Sequence, residues 1–272
     1  MTELQSRLLE MFQWFHELCE KNNLRYYALG GTALGAVRHR GFIPWDDDID
    51  VGMPRTDYER MEQILGREHS GRYVLETPNT TAKDYFYPLS KLYDTETTLT
   101  ENTRLKIKRG IFIDIFPLDG IGDSEEEAKR NYRPIHWKHN LLLTRVTGIR
   151  AGRSRLKNAA VLVARFIPEQ ILDNKKLLLS LDRDCKKRDF DSNAWIGNLV
   201  GAWKYRELMP REVLGTPTLY EFEGKMMYGP QQADKYLTYL YGDWRKLPPK
   251  EKQVSHHDFI LLDLHKSYLD KE

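Results

Sequence analysis

The sequence predicts an α+β fold, with an α/β part over residues 1–120 and a mainly helical part over residues 121–272. Three observations predict it. Up to Gly120, short segments rich in β-branched and aromatic residues alternate with stretches of three- and four-residue apolar spacing. The clearest strand, "GIFIDIFPLD" from Gly110 to Asp119, closes that region. Beyond it the patterns turn helical, with breaks near Pro134, Gly148, Gly152 and Pro168.

Each element has a local reason. Leu4, Leu8, Met11, Phe12, Phe15, Leu18 and Cys19 line one face of a helix that ends near Asn22-Asn23. "LRYYAL" reads as a strand running into Gly30-Gly31, and a short helix follows from Thr32. "DIDVGM" reads as a strand stopped by Pro54. Thr56 and Glu59 have capping-box spacing for a helix to about Leu65. "RYVLET" and "YFYPLSKLYD" are further strands, and Ser124 with Glu127 makes a second capping box. A C-terminal amphipathic helix is expected after His256-His257, with "YGDW" and Pro248-Pro249 as the helix end and turn before it.

Bulk properties exclude several classes. The net charge of +2, from 42 basic and 40 acidic residues, gives no general case for nucleic-acid binding. The two cysteines, Cys19 and Cys185, form no C-x-x-C pattern, so neither a zinc site nor a disulfide framework is expected. Cys19 falls on the apolar face of the first helix and reads as core. "MTELQSRLLEMF" lacks the basic start and apolar stretch of a signal peptide. No apolar run approaches the ~18 residues of a membrane span. The expected location is cytoplasmic, with peripheral contact at the inner face of a membrane as an option.

The most informative stretch is "LGGTALGAVRHRGFIPWDDDIDVGM", Leu29 to Met53. Side chains alternate across a strand, so Asp48 and Asp50 share one face while Ile49 and Val51 share the other. In the strand from Gly110, Ile111, Ile113 and Ile115 form one face, and Phe112, Asp114 and Phe116 the other. If these strands pair, three carboxylates converge. Such an oxygen-only set suits Mg²⁺ or Mn²⁺ at a phosphoryl-transfer site. Gly30-Gly31 lets backbone approach a phosphate at a helix start, where the Thr32 hydroxyl can add a donor.

Other frames fail. A calcium loop begun at Asp46 has Val51 where glycine is required. The Gly-Gly-x-x-x-Gly order is not the dinucleotide fingerprint, and a P-loop is absent. A D-x-D alone is most often a solvated turn; what carries weight is the order of glycine turn, D-x-D strand and later strand aspartate.

That order resembles the nucleotidyltransferase fold of the DNA polymerase β superfamily, a mixed-sheet core. The strings "GGTALGAVRHRGFIPWDDDIDVGMPRTDYERM", "GIFIDIFPLDG", "FEGKMM", "YGDWRKLPP" and "VSHHDF" resemble the LicD family in particular, in order along most of the chain. The resemblance implies phosphotransfer from a CDP-activated donor, CDP-choline foremost, to a glycan of teichoic acid, lipopolysaccharide or capsule that is often lipid-linked. Asp48, Asp50 and Asp114 are then the metal ligands and catalytic carboxylates. Gly30, Gly31 and Thr32 then lie near donor phosphates. Most of the superfamily attacks the α-phosphorus, whereas phosphocholine transfer requires attack at the phosphorus next to choline, with CMP leaving.

Single residues carry two readings each. Arg38 is either a phosphate clamp or, with His39 and Arg40, a counter-charge to the aspartates. Asp46 and Asp47 either cap the turn or support the metal ligands. Trp45 packs under the loop or stacks on cytosine. Lys91 either neutralises the transferring phosphate or is an exposed strand lysine, and Thr98 is a weaker candidate of the same kind. His256 is the candidate general base, with His257 beside it. Tyr85, Phe86, Tyr87, Tyr228 and Trp244 are possible walls of a choline cage. Arg150, Arg153, Arg155 and Lys157 precede "AAVLVARF", which is either a membrane-surface segment or a packed helix with a solvated basic face.

The reading is a Mg²⁺- or Mn²⁺-dependent phosphotransferase releasing CMP. Alternatives are transfer of ribitol or glycerol phosphate from its CDP donor, nucleotidyl transfer, or a non-catalytic glycan-binding protein. The three strand carboxylates argue against the last.

Overall fold

Period-two alternation decides which faces are buried. Ile49, Val51, Ile113 and Ile115 are each fully buried, and the carboxylates between them turn the opposite way. A computed structural model describes residues 1–66, 71–80, 84–102, 106–146, 158–159, 161–163, 172–255 and 259–270.

Helix α1 (Glu3–Lys21) opens with a capping box: Gln5 N donates to Thr2 Oγ1 (3.1 Å) and Thr2 N to Gln5 Oε1 (2.8 Å). Its expected stripe is buried at Leu8, Met11, Phe12, Phe15 and Cys19. Each such large side chain contributes about 1.5–3 kcal/mol of burial. The following strand is only β1 (Tyr27–Ala28). Helix α2 (Gly30–His39) begins two residues before Thr32. Strand β2 (Asp50–Pro54) runs directly into α3 (Arg55–Leu65). That helix starts at Arg55 behind Pro54 with no side-chain cap, so the Thr56–Glu59 box is not used.

β3 (Tyr73–Glu76), β4 (Ser90–Asp94) and β7 (Phe112–Gly122) complete the central sheet in the order β1-β2-β7-β4-β3. The β2–β7 pair is parallel and the other pairs are antiparallel, so the sheet is mixed, as expected. β5 (Thr98–Glu101) and β6 (Lys108–Arg109) form a separate small sheet.

After α4 (Glu125–Val146) and α5 (Asn174–Cys185), strands return. β8 (Trp195–Gly197) pairs with the far end of β7, and β9 (Leu208–Pro210) pairs with β8. A short helix α6 (Arg211–Leu214), the hairpin β10 (Thr218–Phe222)–β11 (Lys225–Gly229) and helix α7 (Ala233–Tyr241) follow. Glu223-Gly224 makes the hairpin turn with positive φ at both residues. The expected C-terminal helix is instead strand β12 (Phe259–Asp263), paired with β5. A run of apolar residues this short fits either period, and the free edge of β5 decides it.

The main core joins α1, α2, the sheet and α7; a second cluster joins α4 and α5 around Tyr132, Leu142, Leu178 and Leu181. Both cysteines are buried and free. Arg55 couples the two regions. Its Nε and Nη2 donate to the two oxygens of Asp119 (2.8 and 2.7 Å), and Nη1 donates to Asp182 of α5 (2.8 Å). Asp119 is fully buried. Asp119→Ala is expected to destabilise the fold by about 3–5 kcal/mol, because Arg55 keeps a buried charge without its main partner. The urea midpoint measures this.

Candidate active site

The parallel pairing sets Asp50 directly opposite Asp114. Asp114 N donates to Ile49 O (3.1 Å), so the Asp48–Asp50 segment lies along the start of β7. The strands that the sequence reading needed to be neighbours are therefore adjacent and in register. On the other side of β7, Lys91 of β4 is the register partner of Asp114. Its Nζ lies 2.8 Å from Asp114 Oδ1. Lys91 is 2% exposed, with its ammonium 3.3 Å from the Phe112 ring centroid and 4.4 Å from that of Tyr87. It is a buried cation of the site, which removes the exposed-lysine reading.

Burial first, then the charges of Asp48, Asp114 and Asp46, push the Asp50 carboxyl well above its usual range, while Lys91 pulls the other way. These groups form one electrostatic unit with oxygen-only donors. Among the described residues, no three His, Cys, Asp or Glu side chains stand as a preassembled metal-ligand group.

The glycine turn packs against the same carboxylates. Gly30 has φ +50°, and a Cβ there would stand 3.7 Å from Asp50 Oδ2 and 3.8 Å from the Tyr241 hydroxyl. A Cβ on Gly31 would stand 2.6 Å from Asp46 Oδ2, so Asp46 sits over the helix start only because no side chain is there. Thr32 Oγ1 accepts from Asp50 N (2.8 Å), and Leu29 N donates to Asp50 O (3.0 Å). Thr32 thus fixes the backbone that presents Asp50.

The structure does not bring every candidate to this point. Arg38 starts from the far end of α2, its backbone about 12 Å along the helix axis from Gly30, although its guanidinium is within electrostatic reach of the Tyr241 hydroxyl. Its Nη1 donates to Trp244 O (2.8 Å) and its Nε to His39 Nε2 (3.0 Å). Trp45 packs against the main core. Thr98 Oγ1 donates to Lys266 O (2.8 Å) in the β5–C-terminal contact. Of the aromatic candidates, Tyr85 is buried and donates to Leu89 O (2.6 Å). Trp244 is buried and donates to Asp234 (3.1 Å). Tyr228 stacks edge-on with Tyr26 (5.5 Å), Phe86 is half-buried, and Tyr87 lies against Lys91. His256 and His257 lie outside the described residues. Ser255, which precedes them, donates to Asp47 Oδ2 (2.7 Å). Gln5 Nε2 of α1 donates to Asp46 O (2.8 Å). The acidic loop is thus held from both ends of the chain.

Two tyrosines of α7 were not legible as site residues. Tyr236 Oη accepts the Gly30 N–H (2.9 Å), fixing the glycine turn. The Tyr241 hydroxyl is pushed up by burial and then by the charges of Asp50 and Asp46. The family string "YGDW" marked only the end of their helix. Behind them lies Glu207, buried, whose Oε1 accepts from Trp203 N (2.7 Å). The "FEG" string has a structural role: Glu223 Oε1 accepts from Phe42 N (3.0 Å) and bridges the hairpin to the loop before the aspartates.

Comparison with known proteins gives a family likeness. Residues 23–140 match the family model described as the LicD/FKTN/FKRP nucleotidyltransferase domain. The lipopolysaccharide cholinephosphotransferase LicD of Haemophilus influenzae is 33% identical over 260 residues, covering 94% of this chain and 96% of that protein. The human ribitol 5-phosphate transferase FKRP is 39% identical over 61 residues, 22% of this chain and 12% of that one. An uncharacterized protein of Rickettsia prowazekii is 48% identical over 58 residues, 21% of this chain and 22% of that one.

Burial pushes the Glu207 carboxyl from its ordinary 4.5 up to about 8. The folded chain therefore prefers protonated Glu207. Its contribution is full below the ordinary value and is lost as pH rises towards the folded one. Glu207→Gln is expected to flatten the fall in stability between pH ~5 and ~8, where one such group contributes up to about 1.4 kcal/mol per pH unit. Urea midpoints measured across that range test it; an unchanged slope would rule it out.

Proposed function

The chain belongs to the LicD family, and from that premise we propose that this phosphotransferase moves phosphocholine from CDP-choline to a hydroxyl of a cell-surface glycan precursor, with CMP leaving. One observation carries the reading: Asp50 and Asp114 are direct register partners beside the glycine-opened start of α2, with Lys91 buried against them. The transferred group is the one in the name of the relative that spans nearly the whole chain, a lipopolysaccharide cholinephosphotransferase; CDP-choline is the donor that the family resemblance implies. The acceptor class is lipopolysaccharide or a comparable glycan such as teichoic acid. The polymerase β-like core is the family's, and the mixed sheet with adjacent β2 and β7 is consistent with it.

The chemistry requires charge to be neutralised around phosphorus. The acceptor oxygen forms a bond to the phosphocholine phosphorus while the bond to the CMP oxygen breaks. Asp48, Asp50 and Asp114 would hold Mg²⁺ or Mn²⁺, whose positive charge stabilises the transferring phosphoryl and the leaving CMP. The fit rests on an oxygen-only donor set whose members repel one another. Lys91 contributes a fixed positive charge from the opposite strand. Gly30 and Gly31 allow backbone to approach the donor, and Tyr236 holds that turn in place. His256 is the proposed acceptor of the hydroxyl proton; Ser255, which precedes it in sequence, donates to Asp47.

A second reading has its own observation. The likeness to a ribitol 5-phosphate transferase favours CDP-ribitol as donor with the same site.

Two results are expected. With Mg²⁺ and a glycan acceptor, CDP-choline should support CMP release faster than CDP-ribitol or CDP-glycerol, and the acceptor should gain the mass of phosphocholine. Faster turnover of CDP-ribitol would replace the substrate and keep the site; CMP joined to the acceptor would replace the reaction. Asp50→Asn and Asp114→Asn should each lower kcat by about 10²–10³. Because Asp50→Asn also removes repulsion within the carboxylate group, its melting temperature should equal or exceed that of the parent.

A further inference from the structure

The outward face of α4 carries the most exposed large hydrophobic side chain among the described residues. Trp137 stands on it 67% exposed, a large indole left in water. Arg133 lies four residues before it and Arg130 seven, a spacing that puts all three on one stripe, and both arginines are exposed. The inward stripe of Ala128, Tyr132, Ile135, His139 and Leu142 is buried against α5 and the sheet, so the helix orientation is fixed by packing.

Charge separates this face from its surroundings. Between Glu127 and Glu169 the sequence holds ten Lys and Arg and no Asp or Glu, although the whole chain carries 42 basic against 40 acidic residues. Some α4 cations are spent inside the fold. Lys138 pairs with Asp184 of α5, and the buried Arg145 donates to Asn174 Oδ1 (2.9 Å). Arg145 thus does not belong to a solvated basic face, and most of the neighbouring 145–165 stretch lies outside the described residues. Arg130 and Arg133 point outward, with Glu127 touching Arg130 only at 4.0 Å. The acidic first turn, Glu125–Glu127, suits the helix N-terminus and marks where the basic face ends.

We propose that the Arg130–Arg133–Trp137 face of α4 docks the protein on an anionic lipid bilayer. Indole rings favour the headgroup region, where the apolar body leaves water and the N–H stays solvated. Guanidinium groups beside it pair with lipid phosphates, each basic side chain near such a surface adding to the attraction. Because the opposite stripe of α4 is packed on α5, attachment through this face is peripheral; no helix among the described residues is long and apolar enough to cross a membrane. A surface-bound enzyme meets a lipid-linked acceptor in two dimensions instead of three. The proposal does not depend on the choice of donor.

The test uses the full chain with vesicles of phosphatidylcholine, with and without phosphatidylglycerol, and no donor present. Co-sedimentation should occur with the anionic vesicles and weaken with salt. Arg130→Glu with Arg133→Glu, and separately Trp137→Ala, should weaken it by about tenfold or more. Brominated lipid should quench tryptophan emission, and Trp137→Phe should remove that quenching. CMP release with a soluble acceptor should be unchanged in these variants. Absence of binding to anionic vesicles overturns the proposal. So does binding that ignores Trp137→Ala, which would reduce it to general charge attraction. Lipid-free self-association lost in Trp137→Ala would assign the face to a second copy of the chain instead.

Discussion

The parallel contact between β2 and β7 is the constraint on which the rest depends. It sets Asp50 opposite Asp114, and any slip of one residue would turn one carboxylate into the core and an isoleucine into the cleft. Several elements hold that register. Thr32 and Leu29 bond both sides of the Asp50 backbone from α2, and β4 fixes β7 from the other edge. The carboxylates repel one another in the folded chain. The fold supplies the opposing force through hydrophobic faces on β2 and β7, and through one buried ammonium.

Much of this was legible because it is local. Alternation along "DIDV" and "GIFIDIF" assigns faces with no knowledge of the partner strand, since the period of two is a property of one strand. The glycine turn is legible for the same reason. The pairing itself is not, because Asp50 and Asp114 lie 64 residues apart and nothing local sets their register. Lys91 illustrates the limit. Its sequence context, "PLSKLYD", suits an exposed or a buried lysine equally, and only the third strand shows it facing Asp114. Tyr236 and Tyr241 were hidden differently: their helix reads as an ordinary amphipathic one, and their hydroxyls meet Gly30 and the carboxylates only after the chain folds back.

The misread elements have physical causes too. "FILLD" is a short apolar run with no usable period, so the sequence admits a helix there; pairing with β5 makes it a strand. The Thr56–Glu59 box is sound chemistry at a helix start, but Pro54 fixes the backbone so that α3 begins two residues earlier. At Thr56 a proline outweighs a capping preference worth about 1 kcal/mol, while at "FILLD" a tertiary contact decides where local pattern does not.

Strand β7 shows why two carboxylates on one strand, Asp114 half-buried and Asp119 fully buried, have different partners. Asp114 and Asp119 are five residues apart, so alternation sends them to opposite faces. Asp119 meets the rigid fork of Arg55, whose two nitrogens grip both oxygens while a third reaches α5. That geometry is directional and satisfies the carboxylate, as suits a joint between the main core and the α4–α5 cluster. Asp114 meets a lysine instead, a compact point charge that bonds through one oxygen and is steadied by two aromatic rings. An ammonium makes no planar demand, so it neutralises the carboxylate without the two-point grip of a guanidinium. The strand thus carries a carboxylate gripped through both oxygens where the fold needs a fastening, and one paired with a buried ammonium at the candidate site. The choice between arginine and lysine as partner distinguishes the two.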